Sequence, residues 1–157
     1  MRDFSSIQLL PVTNRSKWFR ISLCMLIFSM EINAQIIEVK ITGIRSAQGQ
    51  ILLDIYTDDK SFEDEKPHIS KIFSKRGMAD EKMTVKLNLD PGIYGLTLVD
   101  DENENVKMDY RFIGLTKEGF GFSNFFLTGL KKPAFEDFKF VAVKGQKQTV
   151  IMKIRYM

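Results

Sequence analysis

From Ile36 onward, apolar side chains recur at every second position. In the segment Ile36 to Ile44, Ile37, Val39 and Ile41 fall on one face and Glu38, Lys40 and Thr42 on the other, which is the period of a strand with one buried face. Arg45-Ser46-Ala47-Gln48-Gly49 then supplies turn chemistry, and Gln50 to Tyr56 returns as a second strand of β-forming residues. Lys82 to Leu89 carries the clearest alternation, with Met83, Val85, Leu87 and Leu89 opposite Lys82, Thr84, Lys86 and Asn88. Asp90-Pro91-Gly92 predicts a tight turn into a central strand over Ile93 to Val99, since proline presets one backbone angle and glycine accepts a positive one. Near the C-terminus, Phe138 to Val143 and Gln148 to Tyr156 flank Lys144-Gly145-Gln146-Lys147, which predicts a terminal hairpin. Only Lys66 to Arg76 has helical spacing, through Ile69, Ile72 and Phe73.

Six or seven short strands separated by turns predict an all-β chain rather than a parallel α/β sheet. The expected architecture is an immunoglobulin-like, transthyretin (prealbumin)-type antiparallel β-sandwich of about seven strands. Tyr94 follows its turn closely enough to act as a tyrosine corner, bonding back to the backbone upstream; an ordinary half-buried strand tyrosine fits the same position.

The N-terminal residues follow a different pattern. Arg15, Lys17 and Arg20 precede the apolar run Ile21 to Met30, and Glu31-Ile32-Asn33-Ala34-Gln35 forms a polar exit with a small residue at Ala34. As a helix, ten such residues span only about 15 Å, half of a bilayer core. The expectation is therefore a signal peptide over 1–34, cleaved after Ala34, and a single β-sandwich domain over 35–157 with no stable membrane span. Removing 1–34 leaves 19 Lys and Arg against 18 Asp and Glu, a balance that argues against a nucleic-acid partner. The only cysteine, Cys24, sits inside the apolar run, so the mature chain has no thiol for disulfides, thiolate metal sites or nucleophilic catalysis.

After the central strand the chain turns rich in oxygen. Asp101, Asn103, Asn105 and Asp109 stand at relative positions 1, 3, 5 and 9, the order in which side-chain oxygens wrap a calcium ion. Position 6, where glycine makes the sharp bend, is Val106, and position 12, where a bidentate glutamate closes the site, is Phe112. A calcium site and a solvated acidic turn are the two readings. No other cofactor is indicated.

Eight of the thirteen phenylalanines lie between Phe112 and Phe140. In Gly114 to Asn124, three glycines let the backbone bend, and Phe120 and Phe122 fall on one side of an extended segment. These rings either plug one end of the sandwich or form a platform for a protein or carbohydrate ligand, with Lys117, Glu118, Ser123 and Asn124 as its polar rim.

Four segments in this order, Pro91-Gly92-Ile93-Tyr94, Asp101-Glu102-Asn103-Glu104-Asn105, Gly114 to Asn124 and Pro133-Ala134-Phe135-Glu136-Asp137, resemble an uncharacterised family of exported bacterial proteins, the domain-of-unknown-function family numbered 2141. The resemblance runs from about Ile36 to the C-terminus and is strongest from Leu89 to Phe140. It implies a single exported β-sandwich and brings no enzymatic activity with it. Where the family usually has His-Asp-Glu-Asn-Gly-Asn-Gly, this chain places Asp100 for the histidine and Glu104 and Val106 for the two glycines.

Catalytic chemistry finds little to work with. His68 is the only histidine, which excludes the usual nitrogen and sulfur zinc sites, and no nucleophile-elbow motif supports a triad of His68 with Ser123. The acidic run Asp58, Asp59, Glu63, Asp64 and Glu65 reads as a solvated loop. The expected function is a non-enzymatic exported envelope domain, periplasmic, outer-membrane-associated or secreted, that binds a ligand or serves as an accessory. The alternative is a calcium-dependent carbohydrate-binding or polysaccharide-processing accessory module.

Overall fold

The computed structural model describes residues 35–157 except 77, 79 and 110–115; the expected signal peptide lies outside the described residues. Among the described residues there are eight strands: β1 (Gln35–Thr42), β2 (Gln50–Tyr56), β3 (Ile69–Ser74), β4 (Lys82–Leu89), β5 (Gly92–Asp101), β6 (Gly119–Phe122), β7 (Phe140–Ala142) and β8 (Gln148–Lys153). Two short helices, α1 (Asp59–Glu63) and α2 (Phe135–Phe138), complete the inventory. The chain is all-β and sandwich-like. One sheet has three strands in the order β4-β1-β8, and the other has five, β3-β2-β5-β6 with β7 pairing on β5.

The alternating apolar positions meet between these sheets. Ile37, Val39 and Ile41 of β1 face Ile51, Leu53 and Ile55 of β2 and Leu96 and Leu98 of β5 in one cluster, each at most 1% exposed. Burying a side chain of this size contributes about 1.5–3 kcal/mol, so this layer is the main source of stability. One flank is also stitched by backbone: Phe120 and Arg155 exchange N–H···O bonds of 3.0 and 2.8 Å, and the Asn124 N–H donates to the Ile151 carbonyl at 2.8 Å.

Three sequence expectations are corrected, and the two readings of Tyr94 are decided in favour of a half-buried strand tyrosine. The sandwich is not wholly antiparallel, because β1 and β8 run parallel, Val39 opposite Val150. The Lys66 to Arg76 segment forms strand β3, antiparallel to β2 with Phe73 opposite Ile51, because a free strand edge outweighs an accidental helical spacing. The terminal hairpin does not form. β7 pairs with β5 and β8 with β1, and the bend at Gly145 (φ 76°) carries the chain from one sheet to the other. Tyr94 is no corner device: among the described residues its hydroxyl bonds to nothing, and its ring lies 6.3 Å from that of Phe140 and over Gly92.

A third layer covers the outer face of the five-stranded sheet. Tyr56, Phe62, Phe120, Phe122, Phe135 and Phe138 form a second buried cluster there, largely through edge-on ring contacts such as Phe62 to Phe138 at 4.9 Å. Helix α1 brings Phe62 into place, started by Asp58, whose carboxylate accepts the Ser61 N–H at 2.7 Å. Helix α2 supplies Phe135 and Phe138 and is closed by the Ala134 N–H donating to the Asp137 carboxylate at 2.9 Å. Gly95 permits this approach: a Cβ there would lie 2.5 Å from the Phe138 ring and 2.7 Å from the Phe135 ring.

Candidate functional site

The aromatic layer does not fill its sheet face. Between it and the segment that follows β6 lies a cleft of about 610 Å³, within the range of about 300–1,000 Å³ common for small-ligand sites. Strand β2 contributes Asp54 and Tyr56, β5 contributes Thr97 and Val99, and β6 contributes Phe120 and Phe122; Leu127, Leu130, Lys132 and Met157 enclose the sides. The lining is mostly apolar, and its polar groups include Asp54 and Thr97, which stand opposite each other on β2 and β5. Leu130 is 76% exposed, the largest exposure among the big apolar side chains described. Lys132 sits 4.3 Å over the Phe62 ring and 3.7 Å from Glu65. Burial pushes the Tyr56 phenol up to about 12, so it stays a neutral donor at any physiological pH.

The residues expected to form a binding platform are dispersed. Phe120 and Phe122 do share a side, with centroids 6.0 Å apart, but each is only 8% exposed, and they are the cleft's floor rather than a free surface. The Ser123 hydroxyl is buried and committed, accepting from the Leu96 N–H at 2.9 Å and donating to the Phe138 carbonyl at 2.6 Å. Asn124 (φ 53°) is exposed and turned to the opposite sheet, where its side-chain oxygen accepts the Ile151 N–H at 2.9 Å. Lys117 is exposed, and its N–H donates to the Asp109 carbonyl at 2.8 Å. Glu118 is not part of any rim, being 4% exposed and turned toward the oxygen-rich loop.

That loop is folded around the side chain of its first residue. The fully buried Asp101 carboxylate accepts the N–H groups of Asn105 (3.1 Å) and Val106 (2.9 Å) and the Gln50 amide (2.8 Å). Asn103 Oδ1 accepts the Asn105 N–H at 3.1 Å, and Asn105 Oδ1 accepts the Lys107 N–H at 2.9 Å. These donors fix which way both amides point. Their nitrogens therefore face Asp109 and donate to its Oδ2 at 2.8 and 3.0 Å. Val106 takes the left-handed conformation (φ 61°) that a glycine would adopt more cheaply, so the sharp bend persists without its usual residue.

Glu118 completes this region. Its Oε2 accepts the Asp109 N–H at 3.1 Å, while its buried Oε1 has no hydrogen-bond partner among the described residues. Burial first, and then the Asp101 and Asp109 charges, raise its carboxyl above the ordinary glutamate value. Among the described residues no three Asp, Glu, His or Cys side chains already converge as a metal cluster. The loop's other side-chain oxygens are those of Asn103 and Asn105, of Glu102, which is held by Arg45, and of the exposed Glu104.

A third polar cluster closes one end of the inner core. Lys75 and Asp100, both fully buried, form an ion pair, and the Tyr156 hydroxyl donates to the other oxygen of Asp100. Burial, then the bond to Asp100, raises the Tyr156 phenol, which keeps it the donor. Arg45 stacks 4.3 Å over the Tyr156 ring and grips Glu102 through two bonds of 3.0 and 2.6 Å, lowering the glutamate's pKa. The pattern showed no sign of this cluster, because its members come from four distant segments.

Among the described residues no helix is long and apolar enough to cross a membrane. No curated protein and no solved structure matches the chain. The sequence profile of one family does match, over residues 39–151, and its description is an uncharacterized protein conserved in bacteria, DUF2141. That span takes in both sheets, the cleft and the oxygen-rich loop, and the chain belongs to this family.

Proposed function

We propose that residues 35–157 form a single exported, non-enzymatic domain of the bacterial envelope that binds an apolar group in the cleft on its five-stranded sheet. The cleft carries the reading: it has the volume of a small-ligand site, a mostly apolar lining and a highly exposed leucine at its edge. The commitment of Ser123 to two backbone groups supports a non-enzymatic role, as does the exposure of His68 ahead of β3. The apolar run before Gln35 supports export, with the periplasm, the outer membrane surface or the medium as destination. A calcium-dependent carbohydrate module is the second reading. The hydrogen-bonded Asp101 loop favours its cation half, whereas Phe120 and Phe122 are packed rather than presented for stacking on a sugar.

Titration with 8-anilinonaphthalene-1-sulfonate tests the proposal. A saturable, single-site rise in fluorescence is expected, weakened about tenfold by Leu130→Asp through the lost apolar contact, with no change in Tm. Absence of saturable binding, or an unaffected variant, rejects the cleft as the site. N-terminal sequencing of the exported protein should begin at Gln35.

A further inference from the structure

We propose that the Asp101 loop and Glu118 together form a binding site for a hard divalent cation, with Ca²⁺ the ion its donors fit. This site is independent of the cleft ligand. The spacing of Asp101, Asn103, Asn105 and Asp109 left one ligand missing, the closing carboxylate, since Phe112 stands at its place in the sequence. The fold supplies that carboxylate from elsewhere. Glu118, at the entrance to β6, is 4% exposed, is anchored by Oε2 to the Asp109 N–H, and leaves Oε1 buried with no partner among the described residues.

An unsatisfied buried carboxylate oxygen is costly, and such a group calls for a cation or a donor. No N–H or hydroxyl of the described residues answers it; its neighbours Asp101 and Asp109 are carboxylates too, and without a cation the only relief is a proton shared with Asp101. A cation meets all three at once. Asp101 Oδ1, Asn103 Oδ1 and Asn105 Oδ1 each accept one backbone N–H, at 2.9 to 3.1 Å, and keep a second lone pair for a metal, whereas Asp101 Oδ2 is filled by the Val106 N–H and the Gln50 amide. Asp109 is the group that must move: the two amide N–H bonds to its Oδ2 hold a place that the cation takes over. That rearrangement explains why the side chains do not converge beforehand. The set is all oxygen and mixes neutral amides with carboxylates, which suits Ca²⁺ rather than zinc or copper. Mg²⁺, which demands tight octahedral geometry and sheds water reluctantly, should bind more weakly.

Calorimetric titration of the chelator-treated protein with CaCl₂ tests this, with thermal unfolding in parallel. One Ca²⁺ per chain is expected, with a Kd of about 10⁻⁴–10⁻³ M or tighter and a rise in Tm. Glu118→Gln should weaken Ca²⁺ binding at least about tenfold while leaving the Tm in chelator unchanged or higher, because the amide brings its own donor to the buried spot. Asn103→Ala, at an exposed position, should weaken binding without unfolding the protein and gives the same reading if Glu118→Gln is unstable. No heat and no Tm shift at about 10 mM Ca²⁺, well above the Kd expected of extracellular sites, overturns the proposal, as does equal affinity in wild type and both variants.

Discussion

The buried ionisable side chains Lys75, Asp100, Asp101 and Glu118 differ in how their surroundings satisfy them. Asp100 has a cation on one oxygen and a hydroxyl on the other, so removing either partner strands a charge in the core. Lys75→Ala should cost about 3–5 kcal/mol in urea unfolding, while the paired exchange Lys75→Met with Asp100→Leu should cost clearly less, since a packed apolar pair replaces a satisfied ionic one. Equal losses in the two would mean that the pair is not coupled. Glu118 lacks such partners, and the cation proposal rests on that difference. The spacing of Asp101, Asn103, Asn105 and Asp109 was legible because these ligands are local in sequence. Glu118 was legible only as a polar residue near phenylalanines, because the contact that defines it spans nine residues and depends on how β6 enters the sheet.

At the scale of elements, Gly95 sets how closely α2 lies on β5. Gly95→Ala should destabilise the domain by about 1–3 kcal/mol, because the new methyl group must displace the Phe138 and Phe135 rings, and the cleft floor should shift with them. A neutral effect in thermal unfolding would show that the aromatic layer is loosely held. β2 and β4 were legible to the residue, β4 because it alternates apolar with polar side chains and β2 because it is a run of β-forming residues entered from turn chemistry. β6 escaped notice because all four of its residues are buried. Its alternation is of size, not polarity: Phe120 and Phe122 fill the outer layer, while Gly119 lies against Ile154 and Tyr156, and Gly121 against Lys153 and Leu98. β3 misled for the converse reason. As an edge strand it buries little, with Ile72 53% exposed, so polarity along it carries no period-two signal. α1 announced itself only through Asp58 and the Ser61 N–H it caps, which a run of acidic residues concealed.

Across the whole molecule, two apolar layers divide the work. The inner layer joins the sheets and was visible in the sequence as alternation; the outer layer comes from the phenylalanine-rich half and builds the cleft. The open edges carry lysines that disfavour pairing with other chains: Lys82 and Lys86 on β4 and Lys71 on β3. These basic positions balance the acidic loops, which is why near-neutral composition concealed how unevenly charge is arranged. Exposed large apolar side chains are spread over the surface, and Leu130, at the edge of the cleft, is the most exposed of those described. Methyl-labelled NMR of the purified protein, titrated with 8-anilinonaphthalene-1-sulfonate, tests most directly that this cleft is where the domain binds. Shifts are expected at Val99, Met108, Leu127, Leu130 and Met157, with Ile37, Val39, Leu53 and Val150 of the inner layer silent. Shifts confined to other surfaces, or none at saturating probe, would contradict it.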